Sequence, residues 1–384
     1  MSIPSSSART SAVAFAVALL AAPGAAQTVK DTLVKRSGER LRGVEILELG
    51  VDTIKYKRAG SESEMPALQL SYVEWTEPPD AFDLGRGALD KGDSEAAANF
   101  FQEAATKAAE AGRKALEAEC KFFAARALAV GMGTDATRAA AARDALQAFL
   151  GATPGHFRSP EARLLLARAM RVAGDAAGAE AALKSFEEDA LQGGWGLQWD
   201  ARAKLERAQL LLAANKAAEA RSAFQGVRAA VDAALGSIEG NEAQELTALK
   251  MLAVVSEGET FLREGKLDEA RKYFSQLASS ARDDVVRAAA LAGEAQALVL
   301  AHAGKTDTRP LREAQIKLAE AILLDTAGAD TSAKALYLQG KILSMLSPQQ
   351  ETDNKQRARD YFESVVKHYS GSPWAIEARA ELKQ

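Results

Sequence analysis

The chain has 384 residues, of which 47% are hydrophobic, 26% charged and only 6% aromatic, with ten Pro, one Cys and a formal net charge of −4. That composition excludes a disordered or collagen-like chain, and its wealth of Ala against few aromatic residues favours close-packed helices over sheet. The mild acidity supplies no global field for nucleic acid, which is excluded as a partner, and a single Cys excludes a disulfide framework.

The chain opens with the pattern of a cleaved secretory signal over residues 1–26. Arg9 and the amino terminus supply positive charge, Ala12 to Ala22 is an apolar run of eleven residues, and Pro23-Gly24-Ala25-Ala26 places small residues before Gln27. The run is too short for a membrane span of about 20 residues. No later run reaches that length. A soluble protein outside the cytoplasm is expected, periplasmic or extracellular.

Residues 27–78 read as a small β-sheet or barrel-like domain. Thr32-Leu33-Val34, Arg42 to Leu47, Val51 to Tyr56 and Leu68 to Trp75 are short apolar segments rich in Val, Ile, Leu and Tyr. Turn signals at Ser37-Gly38-Glu39, Leu49-Gly50-Val51 and Arg58-Ala59-Gly60-Ser61 separate them. Four to five strands are expected, with a core modest enough to need support from the remainder of the chain. Glu77-Pro78-Pro79-Asp80 breaks the pattern and opens a helix with Asp80 as candidate cap.

From residue 80 to 384 the texture is helical throughout, and it repeats. Gly92, Ala97 and Phe101 recur as Gly174, Ala179 and Leu183, as Asn215, Ala220 and Phe224, and as Gly265, Ala270 and Phe274. Each time a Gly or Asn stands five residues before a small Ala, and a bulky apolar residue comes four after it. The Gly or Asn ends one helix in the left-handed conformation; the Ala lets the next helix approach closely, and the large side chain fills the space one turn on. Weaker copies at Ala142, Ala314 and Ala358 bring the count to about seven helix pairs.

The pattern Gly-Asp/Lys-x-x-Glu/Ala-Ala-x-x-x-Phe/Leu, preceded by Leu84-Gly85 and Glu257-Gly258, resembles the tetratricopeptide repeat. The resemblance implies two antiparallel helices per unit and a right-handed stack of units. Here the Ala anchors are 37 to 50 residues apart, more than the 34 of that family, and insertions at 131–135, 193–199, 236–244, 304–310 and 347–355 account for the excess. A HEAT-like solenoid suits the period better but gives no reason for the Gly-to-Ala spacing. The closing segment Tyr369-Ser370-Gly371-Ser372-Pro373-Trp374-Ala375 is similar to repeat endings in exported bacterial envelope members of the family, with Ser370 where they carry Pro.

Catalytic constellations are not found. His156, His302 and His368 lie far apart and fit loops or helix ends; Gly304-Lys305-Thr306 lacks the earlier Gly and the strand of a phosphate loop, so it reads as a helix terminator. Cys120 beside Phe122 and Phe123 reads as a small buried residue. Neither a metal nor a cofactor is expected.

Two features bear on binding. In the repeat family the first helix of each unit lines the inner groove, and that resemblance places Arg86, Arg168, Arg171, Arg202, Arg263, Arg287, Lys334 and Lys341 on its open side, with Glu259 and Glu294 among them. Such a groove suits carboxylates or acidic peptide segments, since Arg holds a carboxylate bidentately; a solvated basic face is the plainer alternative. The second feature is Gly193 to Trp199, where Trp195 and Trp199 either offer a stacking surface or plug the seam between two units. The expectation is therefore a mainly α protein, a tetratricopeptide-like α-solenoid behind a small β domain, acting as a non-enzymatic exported scaffold for a protein or peptide. A glycan- or peptidoglycan-associated module is the alternative.

Overall fold

The structure, a computed structural model, describes residues 30–238, 240–325, 329–346, 351–369 and 372–383. The expected signal segment, residues 27–29 of the expected β domain, and Ser370 lie outside the described residues.

The amino-terminal part is an antiparallel sheet of five strands: β1 (Asp31–Lys35), β2 (Arg40–Leu49), β3 (Thr53–Arg58), β4 (Ser61–Pro66) and β5 (Leu70–Glu74). Their order is β4-β3-β2-β1-β5. Alternating residues build one core, with Leu33, Leu41, Val44, Ile54, Met65, Leu70 and Val73 all buried. The β3–β4 turn has only Ala59 and Gly60 at its centre, both with positive φ (50° and 87°), the geometry of the tight hairpin turns whose twist matches that of the strands.

β4 brings the sheet to five of the expected four to five strands and follows the expected turn at 58–61, in a segment that the sequence reading does not mark as a strand. Its residues Ser61-Glu62-Ser63-Glu64-Met65-Pro66 hold one apolar side chain, because β4 is an edge strand that buries Met65 and exposes the rest.

Fifteen α-helices complete the chain among the described residues: α1 (Asp80–Asp90), α2 (Ser94–Glu110), α3 (Lys114–Gly131), α4 (Ala136–Ala152), α5 (Ser159–Val172), α6 (Ala176–Gly193), α7 (Leu197–Ala213), α8 (Ala217–Leu235), α9 (Gly240–Arg263), α10 (Leu267–Ser280), α11 (Asp284–His302), α12 (Arg309–Leu324), α13 (Ala329–Leu346), α14 (Glu351–His368) and α15 (Pro373–Leu382). The protein is thus mainly helical with a small sheet at its start. None of the described helices is long and apolar enough to cross a membrane.

Asp80 is the first residue of α1, and Pro79 holds the cap position. Side-chain caps appear instead at Asp93, Asp135, Asp175, Asp283 and Ser372, each accepting backbone N–H groups of the first turn. Gly92, Gly174, Asn215 and Gly265 have φ between 58° and 88°, in the left-handed region the turns require.

Every helix packs on its neighbours in sequence. From α3 to α15 each odd-numbered helix also packs on the next odd-numbered one. The odd helices from α3 to α15 therefore form a continuous row, and each of α4 to α14 among the even helices packs on two successive members of it. The seven Ala anchors all fall on even helices and are buried, as are Phe101, Leu146, Leu183, Phe224, Phe274, Leu318 and Phe362 four residues on.

The close approaches are visible at glycines of the odd helices. A Cβ built on Gly85 would lie 2.9 Å from the Phe101 ring, and one on Gly340 would lie 2.6 Å from Phe362. Phe274 is clasped on both sides, with Cβ positions of Gly258 and Gly293 only 2.5 and 2.6 Å from its ring. These aromatic rings occupy the space where a side chain would otherwise stand.

Part of the long repeat period is helix and not loop. α9 begins at Gly240 and α14 at Glu351, inside segments expected as insertions, and α9 runs for 24 residues.

Candidate functional site

The sheet is fastened to the helices at the starts of four odd-numbered ones. Ahead of α3, Arg113 donates through Nη1 to the Thr76 and Glu77 carbonyls, both at 3.0 Å, and through Nη2 to Asp31 Oδ1 at 3.1 Å. Burial raises the Asp31 carboxyl above its ordinary value, opposed by the Thr76 N–H and the Arg113 cation. Ahead of α5, the loop 153–158 pairs with the β2–β3 turn: the Val51 N–H donates to the Gly155 carbonyl at 2.7 Å and the Phe157 N–H to the Leu49 carbonyl at 2.9 Å. Ahead of α7, Trp195 Nε1 donates to Asp52 Oδ1 at 3.4 Å. In α9, Glu245 accepts from Arg36 Nη1 at 2.7 Å.

Between these attachments lies a cleft of about 240 Å³. The sheet contributes Arg36, Val51, Ala67, Leu68, Leu70 and Ser71; the helices and loops contribute Arg126, Phe157, Arg158, Pro160, Glu161, Trp195, Trp199, Arg202 and Glu245. Four guanidinium groups thus meet two carboxylates.

Arg158 is the deepest of them. It pairs with the fully buried Glu119 at 2.8 Å and with Glu161 at 3.6 Å, and it lies over the ring of Phe157 at 4.5 Å. Arg126 shares Glu161 at 2.9 Å. Glu245 is likewise shared, by Arg36 at 2.7 Å and Arg202 at 3.7 Å. Arg202 stacks over Trp199 at 5.5 Å, and its buried Nε has no hydrogen-bond partner among the described residues. His156, at the sheet–helix bridge, is buried between Phe149 and Phe157, and burial drives its imidazole down to about 3, assisted by the Arg158 cation.

The eight cations expected in a groove all sit on odd helices, but the structure does not gather them. Arg86, Arg168 and Arg263 are exposed on α1, α5 and α9. Arg171 of α5 meets Glu206 of α7 at 3.6 Å, and Arg287 pairs with Asp284 one turn away at 3.0 Å. Lys334 is buried, 3.5 Å from Glu259 and over the Trp374 ring, while Lys341 meets Glu381 at 2.9 Å. Of the eight, only Arg202 reaches the cleft. Trp195 is buried against Phe186, and Trp199 is half-buried with Arg202 above its ring.

Arg36, Arg126, Arg158, Glu161 and Glu245 escape the sequence reading because no spacing links them; the cleft joins a strand end to helix starts more than a hundred residues away. His302 and His368 are the last residues of α11 and α14, and His156 lies in a loop. Among the described residues no group of His, Cys, Asp and Glu could hold a metal ion. Cys120 is buried, and burial pushes its thiol up to about 12, far from the thiolate a nucleophile needs.

No family model matches the chain, and no curated protein matches it.

Proposed function

We propose that this chain is an exported, non-enzymatic scaffold of the bacterial cell envelope, a tetratricopeptide-like solenoid that holds another protein or peptide. The observation that carries the reading is the continuous row of odd-numbered helices from α3 to α15, each resting on the next, with an even-numbered helix packed against each pair. Stacked helix pairs of this kind present long surfaces made of ordinary side chains, and their binding leaves no short catalytic motif. The seven buried Ala anchors and the left-handed Gly or Asn turns support the tetratricopeptide-like register. Export rests on the sequence pattern of residues 1–26.

The glycan-binding alternative draws on Trp195 and Trp199. One ring is buried and the other carries a guanidinium, so the pair lends it no open stacking platform.

In-cell crosslinking and identification of the attached proteins test the proposal. A scaffold yields a defined protein partner in the envelope fraction and leaves insoluble cell-wall material unbound. Recovery of the chain from the cytosol, or its retention on purified wall with no protein attached, contradicts it.

A further inference from the structure

We infer that the cleft between the sheet and the starts of α5, α7 and α9 receives a single carboxylate of an acidic, extended peptide, held by Arg202 beside Arg36. The inference rests on the reading of the chain as a peptide-binding scaffold. It places the contact outside the odd-helix surface, at a site half of which is sheet.

Charge pairing in the cleft is uneven. Arg158 has Glu119 to itself and shares Glu161 with Arg126, so that half is well compensated. In the other half Glu245 lies between the guanidinium groups of Arg36 and Arg202. It lies 2.7 Å from Arg36 but 3.7 Å from Arg202, beyond hydrogen-bond reach. Arg202 consequently keeps a buried Nε that donates to no described residue. Nε itself is closed off, but the Arg202 side chain is 38% exposed, and its terminal N–H groups, with Glu245 beyond hydrogen-bond reach, can be met by the two oxygens of a second carboxylate. The guanidinium carbon lies over the Trp199 ring, 5.5 Å from its centroid.

Size and surroundings define the rest of the ligand. A volume of about 240 Å³ falls below the roughly 300–1,000 Å³ of pockets that enclose drug-sized molecules, and suits one side chain of something longer. β5 pairs with β1 on one side only, and its Leu70 and Ser71 line the cleft. An extended peptide laid along that strand finds main-chain partners while every second side chain faces one way. The same stacked guanidinium disfavours a neutral sugar, whose recognition needs the aromatic face that Arg202 covers.

The test is titration of the chain lacking residues 1–26 with an amide-capped peptide Ser-Val-Glu-Val-Ser and with its Gln counterpart, monitored by calorimetry and by Trp emission, with Trp199→Phe identifying the responding ring. The Glu peptide binds saturably and changes Trp199 emission. Arg202→Ala, with an unchanged helical spectrum, weakens it by about tenfold or more, as does Gln in the peptide. Glu245→Gln, which removes the internal competitor, tightens it. Glutarate alone binds more weakly than the peptide if the main chain contributes, and equally if the site serves free carboxylates. Equal binding of Glu and Gln peptides, indifference to Arg202→Ala, or no saturable binding even by the Glu245→Gln protein overturns the inference. Crosslinking to an envelope partner that persists in Arg202→Ala would sink this site and leave the scaffold standing. Peptide titration that behaves as described without any envelope partner would do the reverse.

Discussion

Phe274 shows how single residues hold this chain together. It is fully buried on α10 and touches both Gly258 of α9 and Gly293 of α11, so one ring locks three helices. Phe274→Ala should cost about 3–5 kcal/mol, the range for emptying a buried aromatic site, read as a lowered midpoint in urea unfolding. Gly293→Ala attacks the same joint from the other side, and overpacking there should cost about 1–3 kcal/mol. His156 makes a different demand. Its folded value of about 3 lies below the ordinary 6.5, so the unfolded chain takes up the proton first. The stability this group gives is complete above pH 6.5 and is lost as pH falls toward 3; by pH 4 the loss is about 3 kcal/mol. His156→Asn keeps an acceptor for the Arg158 N–H, which His156 Nδ1 now receives at 3.3 Å, but cannot take the proton. Unfolding measured from pH 7 to 4 should therefore show a shallower decline in that variant; an unchanged slope would remove His156 as the cause. Residues with a fixed sequence spacing, such as Ala97 with Phe101, were legible in advance. The glycine partners Gly293 and Gly340 were not, since only packing against a distant ring shows why a side chain is missing.

At the scale of elements, the turns carry the clearest sequence signal. Asn215 adopts φ of 58° where the other turns use Gly, so Asn215→Ala should destabilise by about 1 kcal/mol and Asn215→Gly should be close to neutral, as thermal melts would register. Helix caps were not legible: Asp80, the candidate the sequence offers, lies just inside its helix, whereas Asp93 and Asp175 act as caps. β4 was hidden because an edge strand needs few apolar residues. The long α9 was misread at its start because Gly236 to Gln244 is polar and contains two glycines, a composition typical of loops. Neighbouring helices supply what local propensity does not.

At the scale of the molecule, the mainly helical character and the division between sheet and helices could be read from texture alone, while the expected seven helix pairs fall one short of the fifteen described helices. The attachment of the sheet to the helices could not be read. Arg113, Asp31, His156 and Glu245 are ordinary surface residues in the sequence, and they become a seam only when the sheet lies across the starts of α3, α5, α7 and α9. The Arg113–Asp31 contact is partly buried, and among the described residues loss of that side chain leaves the Asp31 carboxylate with the Thr76 N–H alone. Arg113→Ala should thus loosen the sheet selectively, seen as faster hydrogen exchange in β1 and β5 with the helices beyond α7 unaffected. If exchange rose uniformly along the chain, the sheet would be part of one indivisible core.

Because the proposed solenoid relies on contacts between neighbours, removing its far end should leave the near end intact. A chain ending at Leu324 lacks α13, α14 and α15. The prediction is that it retains its remaining helical signal, the Trp199 emission of the full chain and a protease-resistant segment from the sheet through α10. A truncated chain that is unfolded throughout would contradict the account.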